Sequence, residues 1–387
     1  MNSPAPFGKF FLPGPTEVHP DVLAAMARPV IGHRGPEMTR LLADVDPTLR
    51  RLFGTQRPVY ISTSSATGFM EAAIRNLSRR RILCLVCGAF SARFHAIAER
   101  CGRPADRLEV AWGEANTPEA LREALAADPQ RYDLVTVVHS ETSTGVLNPV
   151  AELAAAIREF DDVLLAVDGV TSVGGVPVEF DAWGLDFLLT GSQKALALPP
   201  GLAFAAASER ALERARNVPD RSFYFDLLEF ERRAADHSTT NTPAVSLLFA
   251  LRRQVERIET EGLAGRFARH ADMARRTWEW TESLAEATGR PYALQAPPGY
   301  RSPTVTAIRL PEAVAGPDIV SGLARRGITI ATGYGKLKNG SVRIGHMGDH
   351  TLEELEVVLA GLADVLDVDG SEPATAGAPG DRERRIG

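Results

Sequence analysis

Lysine is scarce in this chain: Lys9, Lys194, Lys336 and Lys338 stand against 39 arginines. Where surface charge is carried by arginine, a lysine at the end of a strand is a candidate for chemistry that a guanidinium cannot perform. Only an amine sheds its proton near neutrality and condenses with an aldehyde. Lys194 has that placement, four residues past the apolar run 186–190 (DFLLT), on a turn of small residues (GSQK). The plainer alternative is an ordinary surface lysine. Asp168, 26 residues upstream, closes another apolar run, VLLAVD. An acid in that position caps a turn, pairs with a cation, or keeps a ring nitrogen of a bound cofactor protonated so that the ring works as an electron sink.

Two further segments carry polar groups suited to anions. In 62–68 (STSSATG) hydroxyls crowd the start of a helical pattern whose apolar residues Met70, Ala73, Ile74 and Leu77 fall on one face. Unpaired N–H groups and the helix dipole favour a phosphate there, while simple N-capping accounts for the same residues. Neither a Walker A motif nor a Gly-x-Gly-x-x-Gly fingerprint is present. Arg343, in SVRIGH, reads as a strand arginine that either forms a surface ion pair or captures a substrate carboxylate in bidentate fashion. Cys84 and Cys87 have CxxC spacing but no second pair, and they fall in or at the end of an apolar run, so metal or redox use is not expected.

The elements that must position these residues follow from apolar patterning. Continuous apolar runs at 81–87, 133–139, 163–168, 186–190 and 202–207 predict strands buried on both faces. Helical patterns lie between them. One spans 118–127, with Thr117 at the N-cap and Pro118 in the first turn; another spans 149–160, with Asn148 placed to cap it. Such alternation predicts an α/β fold with a mostly parallel sheet between helices and ligands at the carboxyl ends of its strands. From 243 onward two long helices, 243–261 and 265–288, precede a strand at 304–310, a helix at 318–327, strands at 328–331 and 341–345, and a helix at 351–366. The Gly-, Pro- and Ala-rich residues 368–387 read as a disordered tail.

Composition narrows the classes. Of 387 residues, 44% are hydrophobic and 24% charged, which suits a soluble globular protein and excludes wholesale disorder. No apolar run reaches the roughly 18–20 residues that cross a bilayer. Residues 1–9 show no basic stretch followed by an apolar core, so no secretory signal is read there. A formal net charge of −6 argues against nucleic acid or an acidic membrane as partner. Three cysteines make no disulfide framework, and a cytoplasmic location is expected.

Taken in order, six segments resemble class V pyridoxal-phosphate aminotransferases, most of all the alanine–glyoxylate and serine–pyruvate group. They are 12–16 (LPGPT), 63–72 (TSSATGFMEA), 141–149 (ETSTGVLNP), 167–175 (VDGVTSVGG), 191–194 (GSQK) with 199–201 (PPG), and 342–348 (VRIGHMG). The resemblance implies fold type I, with a large domain built on a seven-stranded sheet and a smaller C-terminal α/β domain. The division expected is 1–20 as an N-terminal segment near the site, 21–262 as the cofactor domain and 263–367 as the small domain. It further implies pyridoxal 5′-phosphate held as a Schiff base on Lys194, which also shuttles the proton. Asp168 would pair with the pyridine nitrogen, Val170 and Phe90 would cover the two faces of the ring, and Thr142 would lie near its phenolic oxygen. Ser65, Ala66, Thr67 and Gln193 match the phosphate site. Thr67 replaces a frequent His there, and Phe90 stands where Trp is common.

Asn241 and Thr242 would reach the phosphate of a neighbouring subunit, although relatives place Tyr and Thr around this point. Arg343 would bind the substrate α-carboxylate, with Gly14 beside it. The implied activity is ping-pong transamination from a small amino acid such as alanine or serine to glyoxylate or pyruvate, in a homodimer whose sites are shared. Transaminases for aminoethylphosphonate or ureidoglycine, and lyases on the same cofactor, share the scaffold. No metal is implied. His33 and Arg34, near the expected mouth of the site, either tune specificity or hold a loop.

Overall fold

Five strands form where the apolar runs are unbroken, and the edges form where the pattern is weak. The structure, a computed structural model, describes residues 7–366, so the tail 368–387 lies outside the described residues. The strands in chain order are β1 (Tyr60–Ser62), β2 (Ile82–Val86), β3 (Ala105–Glu109), β4 (Leu134–Val138), β5 (Ser140–Glu141), β6 (Val146–Leu147), β7 (Leu164–Asp168), β8 (Phe187–Gly191), β9 (Ala203–Ala207), β10 (Ala293–Leu294), β11 (Val305–Arg309), β12 (Ala331–Thr332) and β13 (Ser341–Gly345). The main sheet has seven strands in the order β1-β9-β8-β7-β4-β2-β3. β9 alone runs against the direction of the other six strands.

Strands β2, β4, β7, β8 and β9 are buried along their whole length, as continuous runs require. Successive side chains serve opposite faces. Leu165 and Val167 enter one apolar cluster, and Leu164 and Ala166 enter the other. Each buried Leu or Val contributes about 1.5–3 kcal/mol by leaving water. The two edge strands escaped the sequence pattern for physical reasons. β3 (ADRLE) is polar and half-exposed, as edges tend to be, and β1 is three residues long.

The second sheet has the order β10-β11-β13-β12 and is antiparallel throughout. A strand was expected at 328–331, but β12 covers only Ala331–Thr332. Thr329 pairs instead with the N-terminal segment: Phe11 N–H donates to its carbonyl at 2.8 Å, and its own N–H donates to the Lys9 carbonyl at 2.9 Å. Phe11 then joins the apolar cluster of Ile308, Val342, Ile344 and Leu359. This clamps residues 9–11 to the small sheet and carries 12–16 toward the main one. A second correction concerns Asn148. It does not cap the helix Val150–Ile157; its side chain accepts from Asn116 N–H at 2.9 Å and donates to the Val138 carbonyl at 2.8 Å, tying loops together at the end of β4. Among the described residues no helix is long and apolar enough to cross a membrane.

Candidate active site

Because β2, β4, β7 and β8 are parallel neighbours, their carboxyl ends share one edge, and the residues that follow them converge there. In register Asp168 lies opposite Val138 on one side and Leu189 on the other. Phe90 follows β2, Thr142 follows β4, Asp168 ends β7, and Lys194 follows β8. Strand β1 runs in the same sense, so the helix Ala66–Leu77 that follows it begins at this edge too.

Lys194 is buried, and its Nζ donates to the carbonyl of Pro13 in the N-terminal segment. The turn that carries it is held by Thr16, whose N–H donates to the Gln193 carbonyl at 2.9 Å and whose hydroxyl donates to the Lys194 carbonyl at 3.0 Å. Burial, then the nearby Arg343 charge, lower the amine's pKa to about 8, while Asp168 and Glu141 pull the other way. Gly14 packs directly on this side chain.

Asp168 is 3% exposed, and burial pushes its carboxyl up to about 6. The Val170 N–H, 2.8 Å from Oδ1, partly offsets that rise, while Glu141 adds to it. No second donor reaches the carboxylate among the described residues. Thr142 is buried with its hydroxyl 2.6 Å from that of Thr171. Its carbonyl accepts from Arg343 Nη1 at 3.1 Å, and Arg343 Nε donates to the Thr332 carbonyl at 3.0 Å. Burial lowers the Arg343 pKa to about 10. The guanidinium therefore faces backbone oxygens without a carboxylate partner among the described residues, which leaves it free to take an anion.

Ser65 is the N-cap of the helix Ala66–Leu77, but its side chain makes no capping hydrogen bond, contrary to the simple reading of this segment. Ser65 and Thr67 are exposed. The first N–H groups of the helix have no intrahelical acceptor, so Ala66 and Thr67 present amides beside the hydroxyls of Ser65 and Thr67. Gln193 borders the same place. A Cβ on Gly191 would meet the Gln193 amide oxygen at 2.8 Å and the Ala66 Cβ at 3.3 Å, so Gln193 and Ala66 close together over Gly191 at the end of β8.

Phe90 opens the helix Ala89–Arg100, with Lys194 Nζ 5.8 Å from its ring centroid, and Val170 lies half-buried beside Asp168. Asn241 and Thr242 are not brought to these residues within the chain. Asn241 donates to the Thr240 hydroxyl at 3.2 Å, Thr242 is exposed, and the segment rests on the loop before the phosphate-type helix through Ala244 N–H to Thr63 Oγ1 at 2.9 Å. Arg34 holds that same segment, donating to Ser238 Oγ at 3.0 Å and the Thr239 carbonyl at 2.7 Å, which is the loop-holding role of its two readings. Cys84 and Cys87 are buried with their thiols pushed up to about 12 by burial, which removes thiolate chemistry near neutral pH.

Three side chains at this edge were not singled out from sequence. Glu141 is fully buried and accepts from the amides of Phe90 and Ser91 and the hydroxyls of Ser91 and Ser143, fixing the helix end that presents Phe90. Arg93 lies 4.8 Å over the Phe90 ring and donates to Tyr334 Oη at 3.0 Å. Tyr334 in turn lies 5.5 Å from the Arg343 guanidinium. The spacing of Arg93 one turn after Phe90 was a usable signal. Tyr334, in a Gly-rich loop, offered none.

A sequence model of the family described as Aminotransferase class-V matches residues 14–357. An uncharacterised aminotransferase of Methanocaldococcus jannaschii is 38% identical over 357 residues, 90% of either chain. The L-aspartate–glyoxylate aminotransferase of Paracoccus denitrificans is 33% identical over 347 residues, covering 88% of this chain and 86% of that one. Among solved structures, an alanine–glyoxylate aminotransferase from Nostoc sp. superimposes with a TM-score of 0.86 at 31% identity, over 95% of this chain and 97% of that one.

Proposed function

Because the chain belongs to the class V aminotransferases, we propose that it moves the amino group of a small amino acid, alanine or serine, to glyoxylate or pyruvate in two half-reactions at one site. The fold is fold type I, and enzymes of this class depend on pyridoxal 5′-phosphate. The residues present fit that group. A buried carboxylate with one N–H partner awaits a ring nitrogen, a helix N-terminus with an uncommitted N-cap hydroxyl awaits a phosphate, and a buried amine bonded only to a backbone carbonyl awaits an aldehyde. Asp168 would hold the ring nitrogen, Ser65, Ala66, Thr67 and Gln193 the phosphate, Thr142 the phenolic oxygen, and Phe90 and Val170 the ring faces. When bound, the cofactor supplies an aldehyde to take the amino group and a ring to store the electrons released at Cα.

The remaining work falls to the chain itself. Lys194, with its amine near neutrality, takes the proton from the substrate's Cα and returns one in the opposite half-reaction. Arg343 fixes the α-carboxylate, which orients the Cα–H bond toward Lys194. Asp168, charged once a cationic partner faces it, keeps that partner protonated. The observation that carries the reading is the convergence of Lys194, Asp168 and Arg343 on one sheet edge, close enough that Asp168 and Arg343 both shift the lysine's pKa. A homodimer with shared sites is part of the proposal, with Asn241 and Thr242 serving the partner's phosphate. The free thiols at Cys84, Cys87 and Cys101 fit a cytoplasmic setting.

The test is a spectral titration of the purified protein loaded with cofactor. L-alanine or L-serine should bleach the yellow form, and glyoxylate or pyruvate should restore it. If no amino donor bleaches it while the cofactor remains covalently attached, the transaminase reading fails.

A further inference from the structure

The mechanism uses one substrate cation, Arg343, yet a second stands at the same edge. Arg93 projects from the first turns of the helix Ala89–Arg100, which follows β2 and whose start is pinned by Glu141 of β5. Its guanidinium lies 4.8 Å from the Phe90 ring centroid, and its Nη2 donates to Tyr334 Oη at 3.0 Å. The Tyr334 ring is 5.3 Å from Phe90 and 5.5 Å from the Arg343 guanidinium. One tyrosine thus touches both arginines, and one phenylalanine lies beside the tyrosine and beneath Arg93.

Arg93 is half-buried, and among the described residues no carboxylate lies within ion-pair distance of it. A guanidinium carries five N–H donors, and Tyr334 accepts from one. Its charge is felt inside the site, lowering the pKa of both Asp168 and Lys194. A partly desolvated cation without a counter-charge, next to the guanidinium proposed to take the α-carboxylate, is suited to a second carboxylate.

We propose that Arg93, steadied by Tyr334, is the specificity-determining residue that holds the side-chain carboxylate of a dicarboxylic amino donor or 2-oxo acid while Arg343 holds the α-carboxylate. The substrate class then extends beyond alanine and serine to short acidic amino acids of the aspartate type. This rests on the transaminase reading for turnover but not for binding.

The experiment is calorimetric titration of the cofactor-loaded protein with two unreactive probes, succinate and propionate. Succinate should bind the unchanged protein at least about tenfold more tightly than propionate, the worth of one added charge-assisted contact. Arg93→Gln should erase that difference while leaving propionate within about twofold, and Arg93→Lys should retain part of it. Comparable affinity for the two probes in the unchanged protein overturns the proposal. So does equal weakening of both probes in Arg93→Gln, which would show that Arg93 only buttresses Phe90. A parallel spectral titration with L-alanine separates the two readings: failure there strikes the transaminase assignment, whereas the probe affinities judge Arg93 by themselves.

Discussion

Gly14 and Lys194 interlock: a Cβ built on Gly14 would lie 2.5 Å from the Nζ, Cε and Cδ of Lys194. Gly14 also holds φ +113°, a conformation that side chains other than glycine's rarely adopt. The preceding residue, Pro13, accepts the lysine's hydrogen bond. Residues 13–14 are therefore a roof shaped to the reactive amine, hung from the small sheet by the pairing of Phe10 and Phe11 with Thr329. Gly14→Ala must either shift this roof or push the amine aside. The expected result is a loss of at least about tenfold in kcat, since misplacing a reacting group by an ångström costs on the order of 10²-fold, with overall secondary structure intact by circular dichroism. Wild-type kcat in that variant would refute the interlock.

Lys194→Ala tests the amine itself. Turnover should fall by about 10²–10⁴-fold, the usual worth of a positioned general base. Borohydride treatment followed by peptide mass mapping should find the cofactor's mass on residue 194 of the unchanged protein and on no residue of the variant. Thermal stability should hold or rise, because a buried amine whose charged form is penalised has been removed. A variant that turns over at near the original rate would show that proton transfer belongs to another group.

The same amine sets a pH dependence with a definite sign. Burial and the Arg343 charge disfavour its protonated form and bring its pKa to about 8. Below that value it is protonated and cannot attack an aldehyde. Attachment of cofactor to the cofactor-free protein should thus speed up as pH rises through about 8 and level off above it. Arg343→Gln removes a repelling charge, so the midpoint should move upward toward the ordinary lysine range, while Arg343→Lys should leave it nearly unchanged. Stopped-flow absorbance at a series of pH values reads this directly. A downward movement in Arg343→Gln contradicts the electrostatic account.

Much of this site was legible because its residues are tied to strand ends. Asp168 closes, and Lys194 closely follows, a run of apolar residues buried on both faces, and such runs are hard to mistake. The carboxyl-edge rule for parallel sheets then brings them together without any knowledge of distances. The edge strands β1 and β3 were illegible because burial on one side or none leaves no apolar run to read. Asn148 misled for a related reason. An Asn before a Pro looks like a cap, but its amide was claimed by Asn116 and Val138, partners 32 and 10 residues away. Arg93 and Tyr334 meet across 241 residues of chain, a contact that local spacing cannot announce.

Glu141 is a residue whose importance rests mainly on such long-range contacts. Its carboxylate accepts from Ser91 N–H at 2.9 Å, Ser91 Oγ at 3.0 Å, Ser143 Oγ at 2.6 Å and Phe90 N–H at 3.2 Å, and every partner is a donor. Negative charge at a helix N-terminus is favourable in itself. Glu141→Gln keeps the shape but turns an NH₂ group toward donors, leaving at least one buried N–H or O–H unpaired at a cost of about 1–3 kcal/mol. The denaturation midpoint should fall accordingly. Because the same carboxylate fixes the turn that presents Phe90 and Arg93, cofactor affinity should weaken as well, and by more than in Phe90→Leu, which alters the ring but leaves the helix end in place. Equilibrium titration of the cofactor against both variants makes the comparison. If Glu141→Gln lowers stability yet binds cofactor as the unchanged protein does, the helix end is held by its own packing, and Glu141 serves the fold without positioning the site.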